Sequence, residues 1–177
     1  RVPRAATPAP PSPPPYRSVS ELYATPTVEL FEEHWAFGGT LGVAVGTETL
    51  QYGLALGGRT ISGLPASFDA TEWDACVRLA WTPARAAGLR GMLGLGVSAL
   101  VTEPADDVVL RSSSPVLSVP YLELQLSRPF WLGRLGVAPG LGVRLFGDRR
   151  NVQVNDKEQL ALPWLTPEAT LSFIHRR

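Results

Sequence analysis

The chain is 177 residues long, about one domain, and its 16 Lys+Arg balance its 16 Asp+Glu, which removes the electrostatic basis for binding nucleic acid. Hydrophobic residues make up 45%, yet no apolar run approaches the ~18 to 20 residues that a membrane helix needs, so a helical membrane protein is excluded. A single cysteine, Cys76, leaves no partner for an internal disulfide.

The sequence starts at Arg1 with neither an initiator methionine nor a signal-type segment, and is expected to be a mature or excised piece. Residues 1–25 form a separate region around Pro8-Ala9-Pro10-Pro11-Ser12-Pro13-Pro14-Pro15, which cannot donate ladder hydrogen bonds or continue a helix and favours extended polyproline II. The expectation is a periplasmic linker. A spacer reaching peptidoglycan or an envelope complex and a plain tail both fit this composition.

Residues 26–177 read as a series of two-sided strands. The first is placed at Val28 to Glu33. Next, Trp35, Phe37, Leu41, Val43 and Val45 share one face and Ala36, Gly38, Thr40, Gly42 and Ala44 the other. Leu50, Tyr52, Leu54 and Leu56 oppose Gln51, Gly53, Ala55, Gly57 and Arg59. In the segment from Thr71 to Trp81, odd positions read Trp, Ala, Val, Leu, Trp and even ones Glu, Asp, Cys, Arg, Ala. Side chains alternate across a strand, so only the odd face is apolar. Its two tryptophans stand roughly 26 Å apart at ~3.3 Å per residue, close to the ~25 Å apolar band and aromatic girdles of an outer-membrane barrel. Further strands follow at Leu89 to Val97, Tyr121 to Leu126, Leu135 to Leu145 and Leu165 to Phe173, about eight in all.

The connections alternate too. Short turns are expected at Gly46 to Thr49, Thr82 to Gly88 and Arg128 to Gly133, and longer polar links at Ser62 to Ala70, Glu103 to Pro115 and Gly147 to Gln159. In an up-and-down sheet this places all short turns at one end and long loops at the other, as in outer-membrane barrels, with both termini periplasmic. Trp35 and Trp73 then mark one membrane interface and Trp81, Phe130 and Phe173 the other.

This alternation, the girdle aromatics and the final segment Ala169-Thr170-Leu171-Ser172-Phe173 resemble the small eight-stranded bacterial outer-membrane β-barrels, such as the OmpA transmembrane domain and OmpX. The resemblance implies an all-β, up-and-down antiparallel transmembrane barrel in a Gram-negative-type outer membrane. Its partners would be outer-membrane lipid, lipopolysaccharide and the barrel-assembly machinery. Ile174-His175-Arg176-Arg177 extend past the terminal aromatic, and Pro120, Pro139 and Pro167 call for bulges or strand ends.

The inward face carries Arg59, Glu72, Asp74, Arg78, Arg90, Glu123, Arg144 and Glu168, a balanced set suited to a salt-bridge network that closes the lumen. No catalytic, cofactor or metal site is expected. His34 and His175 fall at opposite membrane faces, and Cys76 suits a small filler better than an activated thiol. The expected role is structural, anchoring or adhesive. Alternatives are a soluble lipocalin-like barrel that binds an apolar ligand and a barrel-embedded lipid-modifying enzyme.

Overall fold

The computed structural model describes residues 18–31, 34–62, 68–83, 88–104, 116–148, 150–154 and 157–177, and every regular element among them is a strand. In chain order these are β1 (Ser18–Phe31), β2 (His34–Thr47), β3 (Leu50–Ser62), β4 (Phe68–Trp81), β5 (Arg90–Pro104), β6 (Val116–Ser127), β7 (Phe130–Leu132), β8 (Leu135–Phe146), β9 (Arg150–Val154), β10 (Lys157–Leu162) and β11 (Leu165–Arg176).

Each barrel strand pairs antiparallel with its sequence neighbours, and β11 pairs with both β8 and β1, which closes the sheet. β7 adds no stave of its own. Tyr121 pairs with Phe146 and Ser127 with Gly140, and Phe130 continues the same register opposite Val137, so β6 and β7 form one line interrupted at Arg128-Pro129. The barrel therefore has eight staves, β1 to β6, β8 and β11. The expected turn at Arg128 to Gly133 shrinks accordingly to Gly133-Arg134, where Gly133 takes a φ of 62°. β9 and β10 form a separate hairpin that begins in the expected Gly147 to Gln159 link and runs past its end to Leu162.

The expected face assignment holds throughout β2 to β6, β8 and β11. Leu54, Val77, Leu95, Leu126 and Leu141 are exposed, whereas Gln51, Asp74, Ser98, Glu123 and Arg144 are buried. Leu41, Leu56 and Leu141 are each about two-thirds exposed, at 67%, 68% and 71%. Turning such side chains to water forgoes ~1.5 to 3 kcal/mol apiece, a cost that hydrocarbon surroundings remove. A lipocalin-like barrel would point them inward.

β1 starts earlier than expected. The boundary placed after residue 25, and the strand placed at Val28 to Glu33, give way to a 14-residue strand starting at Ser18. Val19, Glu21, Tyr23, Thr25, Thr27 and Glu29 alternate inward along it. A hydrophobic pattern misses this strand because its inner face is mostly polar and its outer face includes Ser18, Ser20, Ala24 and Pro26. Residues 1–17, with the proline run, lie outside the described residues.

The prolines cause no bulge. Pro120, Pro139 and Pro167 face outward within continuous registers opposite Val97, Leu171 and Val143. At the β1–β11 seam the ladder lapses between Ala24↔Phe173 and Thr27↔Thr170. Pro26 has no N–H to give there. A hydroxyl pair, Thr25 Oγ1 and Ser172 Oγ at 2.9 Å, spans the gap instead.

Candidate functional site

Small inward residues make room for large ones. Gly57 faces Asp74 so closely that a Cβ would stand 2.5 Å from its carboxylate oxygen, and Gly94 and Gly142 do the same for Glu123 and Glu168. Some charged side chains pair with an adjacent strand, as Arg59 of β3 with Asp74 of β4, and others reach across the lumen, as Arg78 of β4 to Glu123 of β6 and Arg90 of β5 to Glu21 of β1.

The group nearest the loop end centres on Arg59 of β3 and Arg144 of β8, whose side chains are 0% and 1% exposed. Arg59 Nη1 donates to Asp74 Oδ2 at 2.5 Å. Its Nε lies 2.9 Å from Glu29 Oε1, an ion-pair distance that is off the N–H direction. Arg144 lies 3.4 Å from both Asp74 and Glu168, and its guanidinium stacks 4.8 Å above the Tyr121 ring. Both arginines approach Glu72 Oε1 at 3.7 Å. Ser98 donates to Glu72 at 2.7 Å and Tyr121 to Asp74 at 3.0 Å.

A second group lies deeper toward the termini. Arg78 forks onto Glu123 with Nη2 contacts of 3.0 Å to both carboxylate oxygens, and its Nη1 faces the Tyr23 hydroxyl at 3.4 Å. Bidentate guanidinium–carboxylate pairing is among the stronger charge-assisted contacts. A third group closes the terminal end. Glu21 receives Arg90 at 2.7 Å and Arg176 at 2.8 Å, and Arg90 also donates to Gln51 at 2.6 Å. Arg176 caps Trp131 at 3.9 Å, and that ring packs on the buried cluster of Tyr23, Cys76, Tyr121 and Ile174.

The eight charges expected in the lumen, Arg59, Glu72, Asp74, Arg78, Arg90, Glu123, Arg144 and Glu168, thus fall into these three groups. Glu21, Glu29 and Arg176 join them, and sequence reasoning missed all three. Glu21 fell in the presumed linker and Glu29 in the expected strand Val28 to Glu33, although their period-two spacing with Tyr23, Thr25 and Thr27 is a usable signal.

Between the second and third groups, a cavity of about 30 Å³ is bordered by Tyr23, Thr25, Arg90, Gln125 and Ser172. That is room for a water molecule or two and no larger solute. Cys76 is buried in the wall, and His175 lies on β11 at the opposite end from β2's His34. Among the described residues, no group of three or more His, Cys, Asp and Glu is placed to hold a metal ion. Asp106-Asp107 lies outside the described residues.

The interface aromatics lie outside. Trp35, Trp73, Trp81, Phe130 and Phe173 are 39% to 59% exposed, the first two toward the loop end and the others toward the termini. Trp164, just ahead of β11, is also exposed, and its carbonyl accepts from the Phe146 N–H at 2.7 Å.

No family model matches the sequence, and no curated protein matches it. Solved structures do. The chain is similar to Neisserial surface protein A, at a TM-score of 0.55 and 11% identity over 90% of this chain and 95% of that one. It is also similar to a major outer membrane protein from Thermus thermophilus, at 0.59 and 13% over 92% of this chain and 100% of that one. At such identities the likeness speaks for architecture. The chain has the fold of the small outer-membrane β-barrels, eight antiparallel strands closed in up-and-down order.

Proposed function

We propose that this chain is an outer-membrane barrel with a structural, anchoring or adhesion role, and that its lumen is sealed by the interior ion pairs. The carrying observation is Arg59, fully buried in the loop-end half of the lumen and bound to Asp74 at 2.5 Å with Glu29 at 2.9 Å. Two arginines and their carboxylate partners meet there, and the cavity nearer the termini is water-sized. A pore needs a continuous aqueous path, and paired charges of both signs block one.

Placement in the outer membrane rests on the apolar exterior and its aromatic girdles. On this reading both termini are periplasmic, the loops contact lipopolysaccharide or other cells, and the proline-rich segment reaches peptidoglycan or an envelope complex. The barrel-assembly machinery would insert it. No catalysis is assigned, because among the described residues the buried charged groups pair with one another.

Single-channel recording on chain refolded into planar bilayers tests the seal. The expected result is no stepwise conductance from the wild type. Regular openings of a stable size would overturn the sealed lumen.

A further inference from the structure

On the outside of the barrel, where β1, β2 and β11 meet at the end carrying both termini, lies a groove of about 290 Å³. Leu22, Val43 and His175 line it at one level, and Ser20, Val45 and Arg177 at the next level toward the rim. Parity places them there: Phe173, His175 and Arg177 continue one outward face. Arg177 is held in line by reciprocal backbone hydrogen bonds with Ser20, at 2.8 and 3.2 Å, while its side chain is exposed. His175 pairs across the ladders with Leu22 and Leu135.

No acid takes these basic groups. Glu21 borders the groove but turns inward, and Arg90 and Arg176 already hold its carboxylate at 2.7 and 2.8 Å. Neither His175 nor Arg177 has an ion-pair partner among the described residues. The other exposed charges described at this end are Arg128, Arg134 and Glu48, so the rim is basic. An apolar trough that opens onto exposed basic groups at a membrane interface has the polarity of a lipid with an anionic head.

We propose that this groove binds an anionic phospholipid, its phosphodiester against Arg177 and His175 with the Ser20 hydroxyl as a further donor, and an acyl chain along Leu22, Val43 and Val45. A guanidinium matches phosphate geometry, and a basic side chain at a membrane surface favours anionic over zwitterionic lipid. The choice of phospholipid rests on the orientation proposed above, in which this end faces the phospholipid leaflet.

Native mass spectrometry of the refolded full chain in detergent, with phosphatidylglycerol or phosphatidylcholine added, tests the site. The wild type is expected to retain phosphatidylglycerol preferentially, H175Q/R177Q to retain about fivefold less or lower still, and phosphatidylcholine retention to stay unchanged. R128Q, which removes a cation from the same end outside the groove, is expected to keep the preference. R177Q alone, at an exposed position, serves if the double variant does not refold, with a smaller loss in the same direction. Equal retention of both lipids by the wild type, or an equal loss in R128Q, would overturn the site. A tag at the N-terminus, reached by protease only after the outer membrane is opened, reports orientation separately. Cleavage in intact cells would overturn the leaflet and the proposed orientation while leaving the detergent result to stand or fall alone.

Discussion

Trp73 lies flat across Gly58, the residue directly opposite it on β3, so closely that a Cβ on the glycine would stand 2.9 Å from the indole. The same pairing recurs in direct cross-strand register for Trp81 over Gly91, and inside the lumen for Trp131 over Gly136, Tyr121 over Gly96 and Tyr23 over Gly42. A ring can lie down on a strand only where its neighbour has no side chain, and the ring then covers the backbone that glycine leaves bare. Many of the chain's glycines are the counterparts of its aromatics.

Gly58→Val should therefore lift Trp73 off the strand and destabilise the barrel by about 1 to 3 kcal/mol, the usual cost of overpacking. Ala75→Val, which adds apolar volume at a lipid-facing position without an overlying ring, should stay within about 0.5 kcal/mol. Unfolding of each variant in lipid vesicles measures both. Equal costs would mean that the indole does not occupy the space above Gly58.

Arg59→Met should be among the most damaging single changes, about 3 to 5 kcal/mol, because it removes the closest charge partner of the buried Asp74 carboxylate and weakens the neutralisation of Glu29. The double variant Arg59→Met/Asp74→Leu should recover part of that loss, since burying two apolar side chains leaves less charge uncompensated. A double-mutant cycle by vesicle unfolding reads the coupling. A double variant whose cost equals the sum of the two single variants would show that these residues are not coupled as a pair.

On β4, neighbouring positions should fail differently. Val77→Arg puts a charge against hydrocarbon near mid-membrane and should cost about 2 to 4 kcal/mol, while the charge at Trp81→Arg, near an interface, should cost about 0 to 1 kcal/mol beyond the lost aromatic anchor. Cys76→Ser, one residue from Val77 but inside the polar lumen, should be nearly silent. These free energies come from the same vesicle titrations, and a Cys76→Ser cost above that of Val77→Arg would reverse the facing.

Most of this architecture was legible because a barrel wall imposes period two over long spans. Trp73, Ala75, Val77, Leu79 and Trp81 could be read as one face without knowing what they touch. β1 was illegible for the same reason: Thr25, Thr27 and Glu29 inside and Ser20 and Ala24 outside carry little hydrophobic contrast. Inward charges followed from parity alone. Their partners did not, because Arg144 of β8 meets Asp74 of β4 and Arg90 of β5 meets Glu21 of β1 across the closed lumen, which no local pattern encodes. Arg176 escaped because it lies past the terminal aromatic, where a strand signal was expected to have ended.

The central claim is that the apolar side chains of β4 face lipid and its charged ones face a sealed interior. An environment-sensitive dye on single cysteines at positions 73 to 79, in a Cys76→Ser background refolded into vesicles, tests it most directly. Brominated lipid should quench the dye strongly at 75, 77 and 79 and weakly at 74 and 78, a period-two trace along the strand. Uniform quenching, or stronger quenching at 74 and 78, would contradict the account.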